Sequence, residues 1–370
     1  MTGPVASRRL AGIDLARAVA IFGMITVNFR AVFTEEEAPE WLRRAAEQVD
    51  GRAAALFVVL AGIGISLLTR RARQAGDPAA LRADRMMVLR RALFLFVAGL
   101  AFREVWRFDI LHFYGVYLLA AAFLLDVRAR RLALLAAALT FVFPLLYFIL
   151  PAQFGIPFWD TTDSLRPDQV ALDLFFQGYH PVAPWLAFLL VGMILGRADL
   201  ADPRLRRRWL IAGLVLVALG EALAKGLLDL GLLKLGFEIA PRATVEAAAD
   251  LFGSDPYPPM PLFVLVGLGW ALVVISLSLA IAARWGDRRW LQPFIHAGQL
   301  ALTIYVFHGT IGAWLPAAFG VEAPLSLAWV LAYSAGFYAG CILLATLWRQ
   351  RFARGPLEAA MRFVSRSRRA

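Results

Sequence analysis

The sequence predicts an all-α membrane protein, a polytopic bundle of about ten transmembrane helices. Three observations support this fold class: 60% of the 370 residues are hydrophobic, long apolar stretches recur along the chain, and the segments between them alternate in charge. Soluble domains have about 45–50% apolar residues, whereas a membrane-spanning helix needs about 20 in succession. We therefore expect one integral membrane domain over residues 1–370.

Ten apolar segments are the candidate spans. They lie at about 13–33, 53–69, 88–103, 109–126, 131–151, 182–197, 209–233, 261–283, 296–319 and 325–348. Pro and Gly occur inside some of them, which membrane helices tolerate because neighbouring groups satisfy the freed backbone. The first segment follows Arg8 and Arg9 and shows no convincing small-residue cleavage site. We expect it to be retained as a span.

The connections between these segments alternate in charge. Odd connections are acidic, with Glu35, Glu36, Glu37 and Glu40 after the first span, Asp160, Asp163, Asp168 and Asp173 after the fifth, and Glu238, Glu246, Asp250 and Asp255 after the seventh. Even connections and the C-terminal tail are rich in arginine, such as Arg70, Arg71 and Arg73 after the second span. Because basic loops stay in the cytoplasm, both termini are predicted to be cytoplasmic, in a multi-pass protein of a bacterial-type inner membrane.

The same arginine clusters explain the net charge of +11 and the pI near 10.5. They favour contact with anionic lipid headgroups, so we expect membrane lipids rather than nucleic acid as partners. No metal is expected. The single cysteine, Cys341, offers no cysteine site, and the spacing of the four histidines fits no metal-binding motif.

The first span contains Asp14, Arg17 and Asn28, which lie along one stripe of the helix. At about 100° per residue, Arg17 and Asn28 return to within roughly 20° of each other, and Asp14 lies roughly 40° from Asn28. A charge in hydrocarbon costs about 2.5–3.5 kcal/mol even on the lenient insertion scale, and such residues usually face protein or water. The stripe therefore predicts a central helix. The alternative is a structural Asp14–Arg17 pair at the membrane surface.

Asp109 and His112 lie three residues apart at the start of the fourth span, so they share a helix face. A carboxylate beside an imidazole orients the ring and makes it more basic, as a general base requires. The alternative is a structural helix start, with Asp109 as the N-cap and His112 at the membrane interface.

Two further polar groups are candidates for a cavity. Asp50 and Arg52 lie where the acidic first loop enters the second span, and they predict the lip of an outward-facing cavity shared with Asn28 and His112, with His180 as a further candidate member. The alternative is that Asp50 caps the helix. His308 lies in the middle of a span with Tyr305 one turn before it. At that depth it needs a partner, and a core histidine and a proton carrier both remain open.

One span carries a second charged stripe. Glu221, Lys225 and Asp229 recur every four residues in the seventh span. A structural ion cluster is the simpler interpretation, and a proton or ion path is the alternative. His180 and His296 are predicted to be an interface residue and a structural residue, respectively.

Several stretches resemble one group of membrane proteins. The opening RRLAGIDLARAVAIFGMITVN and the span YHPVAPWLAFLLVGMILGR resemble the heparan-α-glucosaminide N-acetyltransferase-like membrane proteins and the related YeiB-type bacterial proteins. The stretches FDILHFYGVYLL, GQLALTIYVFHGTI and RFARGPLEAAMRF resemble the YeiB-type family, domain of unknown function 418. The resemblance divides the chain into an acyltransferase-like half, about 8–200, and a YeiB-type half, about 205–365.

The resemblance implies a helical bundle that takes an acyl group from cytoplasmic acyl-CoA and passes it to a sugar amine or hydroxyl on the far side. In the acetyltransferase branch, the catalytic residue is a histidine in the loop between the first two spans, just before an Asn-Gly or Asp-Gly pair. This chain keeps Asp50-Gly51 but has no histidine between Asn28 and Asp50. Either His112 has taken that role, or the protein has another activity. The YeiB-type branch implies no established reaction.

Our leading hypothesis is an inner-membrane acyltransferase-like enzyme with acyl-CoA or acetyl-CoA as co-substrate. His112, oriented by Asp109, would deprotonate a hydroxyl or amine acceptor, a sugar or envelope compound, at the outer side. The predicted donor site is Asp14 and Arg17, and the predicted acceptor site is Asn28, Asp50, Arg52, Tyr305 and His308. The alternative is a transporter or flippase of a small amphipathic or anionic compound. A structural partner of envelope enzymes is a third option, and a homodimer is compatible with each.

Overall fold

A computed structural model describes residues 4–33, 38–154, 166–234 and 250–366. The regular elements in these ranges are helices, which confirms the all-α prediction. They are α1 (Pro4–Phe33), α2 (Glu40–Glu47), α3 (Arg52–Leu68), α4 (Arg70–Ala75), α5 (Pro78–Arg103), α6 (Leu111–Phe123), α7 (Ala129–Phe154), α8 (Pro167–Leu172), α9 (Val182–Leu195), α10 (Pro203–Lys234), α11 (Pro261–Trp285), α12 (Gln292–Gln299), α13 (Ala301–Phe307), α14 (Ala313–Ala318), α15 (Leu327–Arg351) and α16 (Pro356–Ser365). Two π-helical turns, Asp173–Gln177 and His308–Gly312, interrupt this series.

The protein is a multi-pass membrane protein. Among the described residues, seven helices are long and apolar enough to cross a bilayer, and a pair bent by 64°, Pro167–Gln177 with Val182–Leu195, would make an eighth span. All ten predicted segments fall on helices, but α5 is interrupted by arginines and α6 has only 13 residues. The number of about ten spans therefore stays a prediction. Acidic loop residues at 35–37, 160, 163, 238 and 246 lie outside the described residues.

α1 lies at the centre of the bundle. It packs against α3, α11, α12 and α15, and its residues Ile21, Ile25 and Phe29 are fully buried. By contrast, α7 and α10 leave large apolar side chains such as Phe141 and Leu214 exposed along their length. Because apolar side chains on the outside of a membrane bundle face lipid rather than water, α7 and α10 form the periphery.

Glycines allow α3 and α9 to approach each other backbone to backbone. A β-carbon on Gly62 would collide with the Leu189 carbonyl, and one on Gly192 would collide with the Val59 carbonyl. Membrane helices associate largely through such close van der Waals packing at small residues. This contact sets the position of α9, and hence of the polypeptide bend that precedes it.

Replacing Gly192 by Ala should therefore lower the free energy of unfolding by about 1–3 kcal/mol, the usual range for an overpacked site. Gly226→Ala on the peripheral α10 is the matched control, because nothing lies within 4 Å of a β-carbon there and Ala is the better helix former. Thermal melting of both purified variants in detergent measures the difference. Equal melting temperatures would contradict the close contact.

Candidate functional site

Two cavities lie inside the bundle, and we name each after a residue of α1. The Asn28 cavity has a volume of about 570 Å³, and the Arg17 cavity has a volume of about 320 Å³. Both volumes fall within the range of small-molecule sites, roughly 300–1,000 Å³. The lining of the Asn28 cavity includes these polar and aromatic residues: Asn28, Arg30, Glu47, Asp50, Phe108, Tyr179, His180, Tyr257 and Tyr305.

The two cavities approach each other closely at three helices. On α3, Ala54 lines the Asn28 cavity and Phe57, less than one turn later, lines the Arg17 cavity. At the start of α6, the consecutive residues Ile110 and Leu111 line one cavity each. On α13, Tyr305 lines the Asn28 cavity, whereas Ala301 and Leu302 of the first turn line the Arg17 cavity. Since one helical turn rises about 5.4 Å, the partition between the cavities is about one layer of side chains thick.

The polar stripe of α1 faces the protein interior and contributes to both cavities. Arg17 lines the Arg17 cavity and donates a hydrogen bond of 2.7 Å to Asp14 Oδ1. Gln299 of α12 donates to the other carboxylate oxygen of Asp14 at 3.1 Å. Asn28 lines the Asn28 cavity, eleven residues further along the helix. Asp14 thus acts on the cavity by orienting Arg17.

A hydrogen-bonded chain fixes Asn28. Its Nδ2 lies 2.8 Å from His308 Nε2, and His308 Nδ1 contacts the backbone carbonyl of Tyr305. An amide donor on Nε2 and a carbonyl beside Nδ1 assign the proton of a neutral imidazole to Nδ1. His308 is fully buried and lines neither cavity. The Tyr305 hydroxyl accepts the Ile110 backbone N–H at 3.0 Å, which ties α13 to the partition.

Asp50 lies in the Asn28 cavity, whereas Arg52 is turned away from it. Arg30 of α1 donates to Asp50 Oδ1 at 2.7 Å, so Asp50 pairs with a cation instead of capping α3. Gly51 has φ +64°, and a β-carbon there would collide with the side chains of Pro256 and Phe263. Only glycine therefore suits this tight turn. Arg52 is buried and donates to Glu221 Oε1 at 2.9 Å.

His112 lies in a buried ion-pair cluster. Its Nδ1 is 2.8 Å from Asp109 Oδ2, and its Nε2 is 3.2 Å from Asp173 Oδ2. Arg103 also contacts Asp173 Oδ2, at 3.1 Å. Asp109 in addition accepts the backbone N–H groups at the start of α6, so its capping role and its pairing role coexist. Neither His112 nor Asp109 lines either of the two cavities.

The cluster fixes a polypeptide bend that reaches the Asn28 cavity. Asp173 begins the π-helical turn before the 64° bend, and the residues after this turn, Tyr179 and His180, line the cavity. The Tyr117 hydroxyl donates to the His180 carbonyl at 2.6 Å. Within the described part of the chain, neither ring nitrogen of His180 has a hydrogen-bond partner. The sequence predicts His180 to be an interface residue or a further member of the cavity lip, and its place in the lining agrees with the second alternative. No chemical role for His180 followed from the sequence.

α16 closes the Arg17 cavity on the side away from the partition. Glu358 Oε1 accepts the N–H groups of Leu302 and Thr303, at 2.8 and 3.1 Å, and Oε2 accepts the Thr303 hydroxyl at 2.6 Å. A carboxylate is stabilising at a helix N-terminus. Glu358 and Met361 both line the cavity, so this surface helix is part of the site.

The second charged stripe does not form a continuous cluster. Glu221 binds Arg52 and accepts the Ser254 hydroxyl at 2.9 Å. Lys225 and Asp229 are exposed on α10, and no ion pair joins either of them to Glu221 in the described ranges. Nearby, partial burial raises the pKa of Asp255, with the Arg52 charge opposing and the Glu221 charge adding to that effect.

The described ranges contain no group of three or more His, Cys, Asp or Glu residues placed to hold a metal ion.

The fold and the two cavities define a multi-pass membrane protein with a partitioned internal site. Residues 9–212, more than half of the chain, match the family model described as heparan-alpha-glucosaminide N-acetyltransferase, catalytic. The chain therefore belongs to this acyltransferase family, which confirms the resemblance. Residues 260–368 match a second model, protein of unknown function (DUF418), the YeiB-type family. No curated protein matches the chain.

Replacing Asp173 by Asn should lower the free energy of unfolding by about 3–5 kcal/mol, because it removes a buried carboxylate that Arg103 and His112 both contact. Asp168→Asn is the matched control. Asp168 pairs with Arg166 on the exposed surface at 3.0 Å, where ion pairs contribute little. Thermal melting in detergent should separate the two variants, and an unchanged Asp173→Asn protein would show that the buried cluster does not stabilise the bend.

Proposed function

We propose that the protein transfers an acyl group from acyl-CoA, bound in the Arg17 cavity, to a hydroxyl or amine acceptor bound in the Asn28 cavity. The observation that carries this proposal is the thin partition: two cavities at opposite ends of one site come within a single helical turn of each other. Membership of an acyltransferase family supplies the general reaction and an acyl-CoA or acetyl-CoA co-substrate. The geometry supports direct transfer between the cavities.

The charge distribution supports an orientation for this reaction. Arginines of α4 and α5, including Arg73 and Arg90, lie at the same end of the bundle as the Arg17 cavity. Because arginine-rich loops remain cytoplasmic, we place the Arg17 cavity on the cytoplasmic side of a bacterial-type inner membrane, with both termini inside. The Asn28 cavity then opens toward the outer side, where an envelope sugar or a similar acceptor would enter.

Cationic groups at the Arg17 cavity suit an acyl-CoA donor. Arg17 and Arg91 line it, and guanidinium groups bind phosphate through charge-assisted hydrogen bonds. Asp14 holds Arg17 in place. On the acceptor side, Asn28, Asp50 and Tyr305 offer polar groups for a hydroxyl or an amine. Arg52 and His308 would act indirectly, since His308 positions Asn28 and Arg52 positions the loop before α3.

The cavity geometry favours His180 as the base. A general base must reach the proton it removes. His180 lines the cavity, and its Nε2 has no hydrogen-bond partner among the described residues, whereas Nδ1 is enclosed by protein. The sequence hypothesis instead assigned this role to His112, whose two nitrogens face carboxylates. In the proposed step, the acceptor oxygen or nitrogen attacks the thioester carbon and loses its proton to His180. The carbon–sulfur bond breaks, CoA leaves as the thiolate and takes a proton from the cytoplasm, and His180 releases its proton to the outer side.

The experiment is acyl-CoA turnover by the purified protein in nanodiscs, with a panel of amino and hydroxy sugars as acceptors and mass spectrometry of the products. His180→Gln should lower kcat by about 10²–10⁴-fold, the usual contribution of a general base. His112→Gln should act chiefly through stability, because it contacts the bend and not the cavity. Thermal melting of both variants separates the two effects.

Lys225→Met is the control variant, since Lys225 is exposed on α10 and lies outside both cavities. It should turn over acyl-CoA like the wild type. If stably folded His112→Gln loses kcat while His180→Gln keeps full activity, His112 and not His180 is the general base. Uptake of a solute into proteoliposomes without any acyl-CoA consumption would favour the transporter alternative.

A further inference from the structure

Tyr114 lines the Arg17 cavity close to the partition between the two cavities. It is on the first turn of α6, three residues after Leu111. Its side chain is only 4% exposed. The ring contacts those of Phe57 and Tyr117, each with a centroid separation of 5.7 Å. Tyr114 is thus within one helical turn of the end of the Arg17 cavity that adjoins the Asn28 cavity.

The Tyr114 hydroxyl has no hydrogen-bond partner among the described residues. Other buried tyrosines of the bundle do have one: Tyr117 donates to the His180 carbonyl, and Tyr338 donates to the Ala18 carbonyl, each at 2.6 Å. A buried hydroxyl without a partner is destabilising, and most such groups are paired in native proteins. Tyr114 lines the cavity while its hydroxyl oxygen is enclosed behind the cavity wall, so a ligand that reaches this oxygen can supply the missing partner.

A second unpaired group lines the same cavity. Gln299 Oε1 is also buried without a partner, near the end where Arg17 lies. Most of the remaining lining is apolar, with residues such as Ala61, Leu95 and Leu118. Two unsatisfied polar atoms beside a largely apolar cavity fit a ligand that carries polar groups at intervals, rather than a hydrocarbon tail.

Resting on the proposed function, we propose that Tyr114 is a further catalytic residue, whose hydroxyl donates a hydrogen bond to the carbonyl oxygen of the acyl thioester. With the CoA phosphates at Arg17 and Arg91, the thioester end reaches furthest into the cavity and meets the partition at Tyr114. Attack by the acceptor converts the carbonyl oxygen to an oxyanion. Tyr114 keeps its proton throughout and stabilises this charge, and the oxyanion collapses as the carbon–sulfur bond breaks.

The geometry also explains why this donor would act on the transition state. A preformed hydrogen-bond donor in a site without water favours developing negative charge more than the neutral carbonyl. Tyr114 is buried and packs against the rings of Phe57 and Tyr117, which shield it from bulk water. Tyr114 therefore contributes to kcat rather than to the binding of the donor.

Tyr114→Phe, which removes only the oxygen atom, is the test variant. In nanodiscs with an active acyl-CoA and acceptor pair, kcat should fall about 10²–10³-fold, as when one oxyanion donor is lost, while KM for the acyl-CoA stays within about twofold. The melting temperature should be equal to that of the wild type or higher, because an unsatisfied buried hydroxyl is removed. Tyr338→Phe is the matched control, and it should melt at a lower temperature with kcat unchanged.

The outcomes distinguish this inference from the function on which it rests. If the wild-type protein consumes no acyl-CoA with any acceptor, the proposed function fails and the role of Tyr114 fails with it. If the wild type is active and Tyr114→Phe keeps its kcat, only the role of Tyr114 is overturned. A fall in melting temperature, or a rise in KM at constant kcat, would assign Tyr114 a structural or binding role instead and would also overturn the inference.

Discussion

Polar groups inside a membrane bundle must find their partners within the protein, and this constraint positions α1. The three polar residues of its inward-facing stripe each meet a different part of the structure: Asp14 meets α12, Arg17 lines one cavity, and Asn28 meets the π-helical turn after α13. A helix that must satisfy all three has to lie where those elements converge. The rest of the bundle is arranged around it, and both cavities border the same face of α1.

The sequence was sufficient for the fold class and for the inward-facing stripe. Both depend on properties that are local to a helix: an apolar length of about 20 residues and a repeat of about 100° per residue. The pairing of His112 with Asp109 also follows from their spacing of three residues, and it is present at 2.8 Å. What spacing could not show is that Asp173, far along the chain, occupies the other ring nitrogen.

The interactions that sequence reasoning could not predict depend on tertiary geometry. His180 reaches the cavity because the chain bends by 64° between two helical pieces, and no periodicity encodes such a bend. The stripe of Glu221, Lys225 and Asp229 shows the reverse case. Its spacing predicts one helix face correctly, but Glu221 forms an ion pair with Arg52 on α3, whereas Lys225 and Asp229 are exposed on the outside of the bundle. Periodicity identifies a face without identifying what that face meets.

The contact between α16 and α13 has a mechanical consequence. Glu358 holds the first turn of α13, and the other end of this seven-residue helix carries Tyr305 and leads directly into His308, the partner of Asn28. α13 therefore connects the surface of the protein directly to the Asn28 cavity. A displacement of α16 by a lipid headgroup or a bound protein would be transmitted to the Asn28 cavity without any intervening loop.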